Sequence, residues 1–273
     1  MKVSLIQMNS GSDKLANLAA ARALIEQAVA QDAPDWICLP EVWDFIGADR
    51  RAKLAAAEEM PGGPAYTAMQ ELARKHGVFI HAGSMLEKIP GEDRVHNTTV
   101  AFDRAGNEVA RYRKIHMFDI VAPDGAAYRE SAAFKPGDAL ATYVCEDMIV
   151  GCAICYDLRF PHLFQALVDK GATLIALPSA FTLQTGKDHW EVLCRARAIE
   201  TETYFCAAAQ TGGHIVNNET RQTYGHSLVV DPWGHVVAKA SDGAGVVSTR
   251  IEKARVEKAR AMIPVASHRA PFA

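Results

Sequence analysis

Three reactive side chains stand at the ends of expected strands in this sequence. Glu41 follows Trp36-Ile37-Cys38-Leu39-Pro40, Cys155 ends Gly151-Cys152-Ala153-Ile154-Cys155, and Lys114 follows the stretch Glu108–Arg113. A carboxylate can accept a proton, a thiol can attack a carbonyl, and an ammonium can hold the negative charge that develops on the carbonyl oxygen. Acyl transfer needs all three functions. Groups just beyond the carboxyl ends of strands are held by a rigid sheet yet reach open space, which is where the sites of α/β proteins gather.

Each residue also has a plainer reading. Residues 156–160 lead into a helix opened by Pro161, so Cys155 is expected near a helix N-terminus, where the dipole favours thiolate; the alternative is a buried structural cysteine. Cys152 and Cys155 form a C-x-x-C, which suggests zinc or redox work. Residues three apart on a strand face opposite sides, however, and no second pair exists. Glu41, delivered into the interior by apolar neighbours, needs a partner or a raised pKa; a structural ion pair would also satisfy it. Arg111, Arg113 and Lys114 could together be one solvated edge. The ten histidines are scattered without an H-E-x-x-H, so no metal site is expected.

The elements that must carry these groups alternate from end to end. Strands are expected at 3–8, 36–39, 78–82, 98–102, 108–113, 149–154, 173–177, 204–209, 227–230, 236–240 and 246–249. Ser12 is expected to cap a helix running to about Gln31, with Leu15, Leu18, Ile25 and Val29 on its apolar face. Further helices are expected over 64–76 (closed by Gly77), from Pro161 to Gly171, over 188–203 and over 251–260. With no repeat and no linker, the 273 residues read as one α/β domain, the tail from about 251 being expected at an oligomer interface.

Composition narrows the partners. A net charge of −3 with no lysine/arginine block argues against nucleic acid, and no apolar run is long enough for a bilayer. The N-terminus lacks a signal-peptide pattern, so the six cysteines are expected as reduced thiols in the cytoplasm.

Leu39-Pro40-Glu41, Tyr112-Arg113-Lys114-Ile115-His116 and Cys155-Tyr156-Asp157-Leu158-Arg159-Phe160-Pro161, in that order, resemble the nitrilase superfamily of carbon–nitrogen hydrolases. The resemblance covers essentially the whole chain. It implies a four-layer α-β-β-α sandwich that pairs into dimers or larger assemblies, with no cofactor. It also implies a Glu41–Lys114–Cys155 triad, with Glu130 beside the lysine. Glu41 would take the thiol proton and Cys155 attack an amide carbonyl. Lys114 and the Tyr156 N–H would hold the oxyanion, such donors being worth about 10²–10³ in rate each. Glu130 would orient Lys114; its plainer reading is a loop salt bridge.

Within the superfamily, Cys155-Tyr156-Asp157 is similar to the amidase branches. The stretches from His189 to Thr201 and from Tyr224 to Gly234 resemble the branch that hydrolyses deaminated glutathione, more than the ω-amidases that act on 2-oxoglutaramate. An N-carbamoyl amino acid hydrolase is a further alternative, and a non-catalytic binding member of the same fold another. The substrate is thus a small-molecule amide. A 2-oxo acid substrate needs a cationic anchor, for which Arg159 is the candidate, a scaffold ion pair with Asp157 or a nearby acid being the alternative. By the same resemblance Phe181 and Thr185 would contact the substrate.

Overall fold

The computed structural model describes residues 1–47, 49–121, 125, 127–216 and 219–270. Its helices are α1 (Lys14–Asp32), α2 (Arg50–Ala56), α3 (Pro64–His76), α4 (Pro161–Asp169), α5 (Leu183–Thr201), α6 (Lys253–Met262) and the short α7 (Val265–His268). The first six strands are β1 (Lys2–Gln7), β2 (Trp36–Cys38), β3 (Phe79–His81), β4 (Met85–Lys88), β5 (Val95–Phe102) and β6 (Glu108–Arg113). Next come a hairpin, β7 (Asp119–Val121) with β8 (Ala127–Arg129), and then β9 (Thr142–Cys145), β10 (Met148–Cys152), β11 (Leu174–Ala176) and β12 (Tyr204–Ala207). A second hairpin, β13 (Thr211–Val216) with β14 (Glu219–Tyr224), precedes β15 (Leu228–Val230), β16 (Val236–Lys239) and β17 (Gly245–Arg250).

The strands form two large sheets. One has the order β17-β1-β2-β3-β5-β4 with β6 added to β5; the other runs β16-β15-β12-β11-β10-β9. Alternation along each strand builds the layers. Val3, Leu5, Trp36 and Cys38 enter the core shared with the second sheet, while Ile6, Ile37 and Ile80 pack with α1 and α3. On the far side of the second sheet lie Leu163, Phe164 and Leu167 of α4 and Trp190, Cys194 and Ala198 of α5. The result is the expected α-β-β-α sandwich. The parallel neighbours β1-β2-β3 and β10-β11-β12 point their carboxyl ends the same way within each sheet, bringing Glu41 and Cys155 to the strand-end side.

Several local expectations need correction. Asp13, not Ser12, caps α1, accepting the Ala16 N–H at 3.0 Å. The buried face of α1 is Asn17, Ala21, Ile25 and Ala28, and Leu15 is 77% exposed. Leu18 and Val29 are partly buried against the same core, so of the expected apolar face only Leu15 turns outward. Helix α5 begins at Leu183, before the expected start at 188, and takes in Thr185. There Gly186 packs under Tyr224, where an added Cβ would lie 2.3 Å from the Tyr224 Cβ. Helix α2, β4, β9 and the two hairpins lie outside the sequence reading. Among the described residues no helix is long and apolar enough to cross a membrane.

Candidate active site

The chain leaves β2 through Leu39-Pro40-Glu41 and turns sharply, Val42 adopting φ +43°. The turn is clamped from β3: Ser84 N–H donates to Pro40 O at 3.1 Å and Ser84 Oγ accepts from Val42 N–H at 2.9 Å. Gly83, at φ +55°, makes the clamp possible, since any Cβ there would fall 2.1 Å from Pro40 O. Glu41, only 4% exposed, is aimed inward. Its Oε1 accepts from Asn97 Nδ2 and from Lys114 Nζ, both at 2.9 Å, and its Oε2 accepts from Ala180 N–H at 2.9 Å.

Lys114 follows β6 and is 2% exposed, so it is no part of a solvated edge. Arg113 instead pairs with Glu87 at 2.7 Å and points the other way along the strand alternation. Lys114 Nζ donates to Glu41 Oε1 and to both oxygens of Glu130, each at 2.9 Å. Burial by itself would push this ammonium down, but Glu130 and Glu41 outweigh it and hold it well above the ordinary lysine value. Glu130 opens a short 3-10 turn after β8 and accepts the Phe118 N–H at 2.6 Å. Burial, opposed by Lys114 and assisted by Glu41, pushes its carboxyl up.

Cys155 opens a 3-10 turn that follows β10, with φ +43° and its N–H donated to Pro178 O at 2.9 Å. It lines a cavity of about 380 Å³ together with Glu41, Asn97, Lys114 and Glu130. Burial first, and Glu41 next, push the thiol well up, Lys114 opposing. The expectation of a thiolate favoured by a helix dipole is therefore corrected. The turn is a short 3-10 one rather than an α-helix N-terminus, and burial outweighs Lys114 at the thiol. Cys152, with Cys38 as its neighbour in the core, does not line the cavity that Cys155 lines, and both thiols are free.

The sequence-derived substrate residues divide. Tyr156, Phe181 and Thr185 line the cavity, and among the described residues the Tyr156 N–H has no acceptor. Arg159 does not line it: its guanidinium lies 5.4 Å from the centroid of the Phe181 ring and 3.2 Å from His189 Nδ1. Neither does it pair with Asp157. The cations that do reach the cavity, besides Lys114, are Arg50, Lys53, Arg129 and Arg221.

Two further residues escape a reading of sequence alone. Asn97, in the fully buried β5, donates to Glu41 and accepts the Lys114 N–H through its backbone oxygen at 2.9 Å. Asp157, wholly buried, accepts from Tyr112 Oη at 2.7 Å, Ile154 N–H at 2.9 Å and His116 N–H at 3.1 Å, and lies 2.7 Å from His116 Nδ1. It fastens the exit of β6, which carries Lys114, to the turn that carries Cys155. A polar residue in a strand with no exposed face was the available signal for Asn97.

Comparison with known proteins places this geometry. The profile of the carbon-nitrogen hydrolase family matches residues 2–261. Deaminated glutathione amidase of Bos taurus is 40% identical over 280 residues, covering 98% of this chain and 82% of that protein. The protein of the same name from Synechocystis sp. is 38% identical, covering 97% of this chain and 96% of its own length. The crystal structure of the C. elegans NitFhit protein superposes with a TM-score of 0.90 at 39% identity; the match covers 98% of this chain but 64% of that longer one. With its site at the strand ends and its length matched almost throughout, the chain belongs to the carbon–nitrogen hydrolase family, the nitrilase superfamily.

Proposed function

We propose that this chain hydrolyses deaminated glutathione to 2-oxoglutarate and cysteinylglycine, with Cys155 as nucleophile and Glu41 as the base that takes its proton. The observation that carries the reading is Cys155 sharing one cavity with an ammonium held between two carboxylates. Relatives of that name at about 40% identity over nearly the whole chain support the choice of substrate.

The thiol proton passes to Glu41 as Sγ bonds to the amide carbon. The oxyanion meets the Tyr156 N–H and Lys114, whose three N–H bonds are all engaged at rest. One of the two bonds to Glu130 is handed to the oxyanion, so Glu130 aims Lys114 without holding it back. The C–N bond then breaks, protonated Glu41 giving its proton to the departing amine, and a thioester remains. Water attacks the thioester, its proton going to Glu41. The C–S bond breaks and the sulfur recovers its proton. Phe181 and Thr185 contact the acyl portion, and Arg159, stacked against the Phe181 ring, holds that ring in place rather than touching substrate.

The enzyme is further proposed to work in the cytoplasm as a homodimer. All six thiols are free and buried, as a reducing compartment allows. Exposed Val192 and Ile199 on α5, with Trp233 in the turn beside Ile199, offer an apolar face suited to a second copy, and the tail from 251 lies among the segments expected there. The deciding experiment follows 2-oxoglutarate release from deaminated glutathione and from 2-oxoglutaramate side by side, with Cys155→Ala as the blank. Preference for deaminated glutathione supports the proposal. Preference for 2-oxoglutaramate would reassign the enzyme to the ω-amidases, and silence on both would leave a carbamoyl or other amide.

A further inference from the structure

The mouth of the cavity carries more positive charge than its own residues neutralise. Lys114 is fully engaged by Glu41 and Glu130, and Arg50 is paired with Asp93 at 2.6 Å. Lys53 and Arg221 differ. Lys53, half-buried on α2, donates to Gly47 O at 2.9 Å and makes no ion pair among the described residues. Arg221, exposed on β14, lies 5.3 Å over the ring of Tyr128 and likewise makes none. Asp49 lines the same wall, but its Oδ1 caps α2 through the Ala52 N–H at 2.7 Å.

These two cations come from segments 168 positions apart in sequence, yet they are close enough to feel each other. Burial, and then the charge of Arg221, hold the Lys53 ammonium below the ordinary lysine value. Asp49 and Glu130 act on Lys53 only through space, and among the described residues neither cation has an ion-pair partner; two such charges lining one cavity form a seat for an anion, and a lysine with spare N–H groups beside a planar guanidinium suits a carboxylate. We propose that Lys53 and Arg221 form the subsite for the terminal carboxylate of the leaving group, so that the enzyme selects amides whose amine product is itself a carboxylic acid.

The inference rests on the substrate proposed above. In that substrate the carboxylate beyond the scissile nitrogen lies at the end of two residues, about 7 Å of extended chain. The acyl portion is assigned to Phe181 and Thr185 beside the thiol, and the amine must leave through the mouth, where Lys53 and Arg221 stand. A product amine that ends in ammonia cannot use this subsite.

The test compares deaminated glutathione with its C-terminal carboxamide, in the wild type and in Lys53→Gln and Arg221→Gln. Wild type is expected to favour the free acid by about tenfold or more in kcat/KM, and each variant to retain about threefold or less. Raising the salt concentration should erode the wild-type preference in the same direction. The preference is a ratio within each variant, so a partly unfolded sample does not distort it. An undiminished preference in both variants, or none in the wild type, overturns the subsite while leaving the proposed function standing. Hydrolysis of neither compound by the wild type would overturn the proposed function and the subsite with it.

Discussion

Replacing Asp157 by Asn should damage both stability and turnover while removing nothing that touches the substrate. The carboxylate meets four polar partners on two segments: Tyr112 Oη and Ile154 N–H on one oxygen, and the His116 N–H and Nδ1 on the other. An amide offers one oxygen, so two of those groups would face an NH₂. Each donor left unsatisfied in the interior costs about 1–3 kcal/mol, and the two bonds that survive lose the assistance of the charge. The loss should come to about 4 kcal/mol, or roughly a 10 °C fall in Tm for a chain of this size. Tyr112→Phe removes a single partner and should cost about 2 kcal/mol. Because Asp157 ties the Lys114 strand to the Cys155 turn, slackening it by about 1 Å should lower kcat on the order of 100-fold, with KM little changed. Urea unfolding and single-turnover acylation measure the two effects. If Asp157→Asn unfolds within about 1 kcal/mol of wild type and acylates within about threefold of its rate, the fastening role is wrong.

Other perturbations separate the remaining roles. Glu41→Gln keeps the hydrogen bonds' shape but removes the base, so no acyl adduct should accumulate by mass spectrometry; an intact thioester would remove Glu41 from the mechanism. Glu130→Gln should lower kcat by about 10- to 100-fold through misaimed Lys114 while leaving thiol alkylation possible, and unchanged kcat would return Glu130 to the rank of a loop salt bridge. Asp44, wholly buried beside Lys14, has its carboxyl pushed up to about 6 by burial, Lys14 opposing. The folded state then holds this proton more tightly than the unfolded chain does. Its contribution is full at low pH and is lost as pH rises through about 6, amounting to about 3 kcal/mol. Asp44→Asn should therefore gain on wild type in urea unfolding between pH 4 and 8, and parallel pH slopes would refute the assignment.

Glu41 and Cys155 are legible in the sequence because each follows an apolar strand, and a strand's end fixes where a side chain goes. Glu130 follows no strand of that kind and is reached only through family resemblance. The outer wall is harder. Helix α2 buries none of its residues, so Arg50–Ala56 has no apolar period to read, and β14 has no buried residue to alternate with its exposed ones. Lys53 and Arg221 accordingly have no sequence signal, although they line the cavity and Arg159, the expected anchor for the 2-oxo acid carboxylate, does not. Spacing from the nucleophile places Arg159 near the site but cannot decide which side of the Phe181 ring it occupies. That choice depends on His189, nearly two turns into a helix that begins earlier than its apolar pattern suggests.

Strain marks the two residues that must meet. Val42, directly after Glu41, and Cys155 itself both hold left-handed φ of +43°, a conformation that costs a β-branched or ordinary side chain roughly 1–3 kcal/mol. Neither turn would persist unaided. The first is pinned by the two Ser84 bonds and by the closeness that Gly83 permits; the second by Pro178 and by Asp157 on the Ile154 N–H. Each clamp comes from a neighbouring segment of the same sheet, so packing and hydrogen bonds of the sandwich offset a local cost whose effect is to turn a carboxylate and a thiol toward one cavity. The carboxylate proposed as the base is already seated by Asn97, Lys114 and Ala180. Preorganisation here lies in the fixed carboxylate.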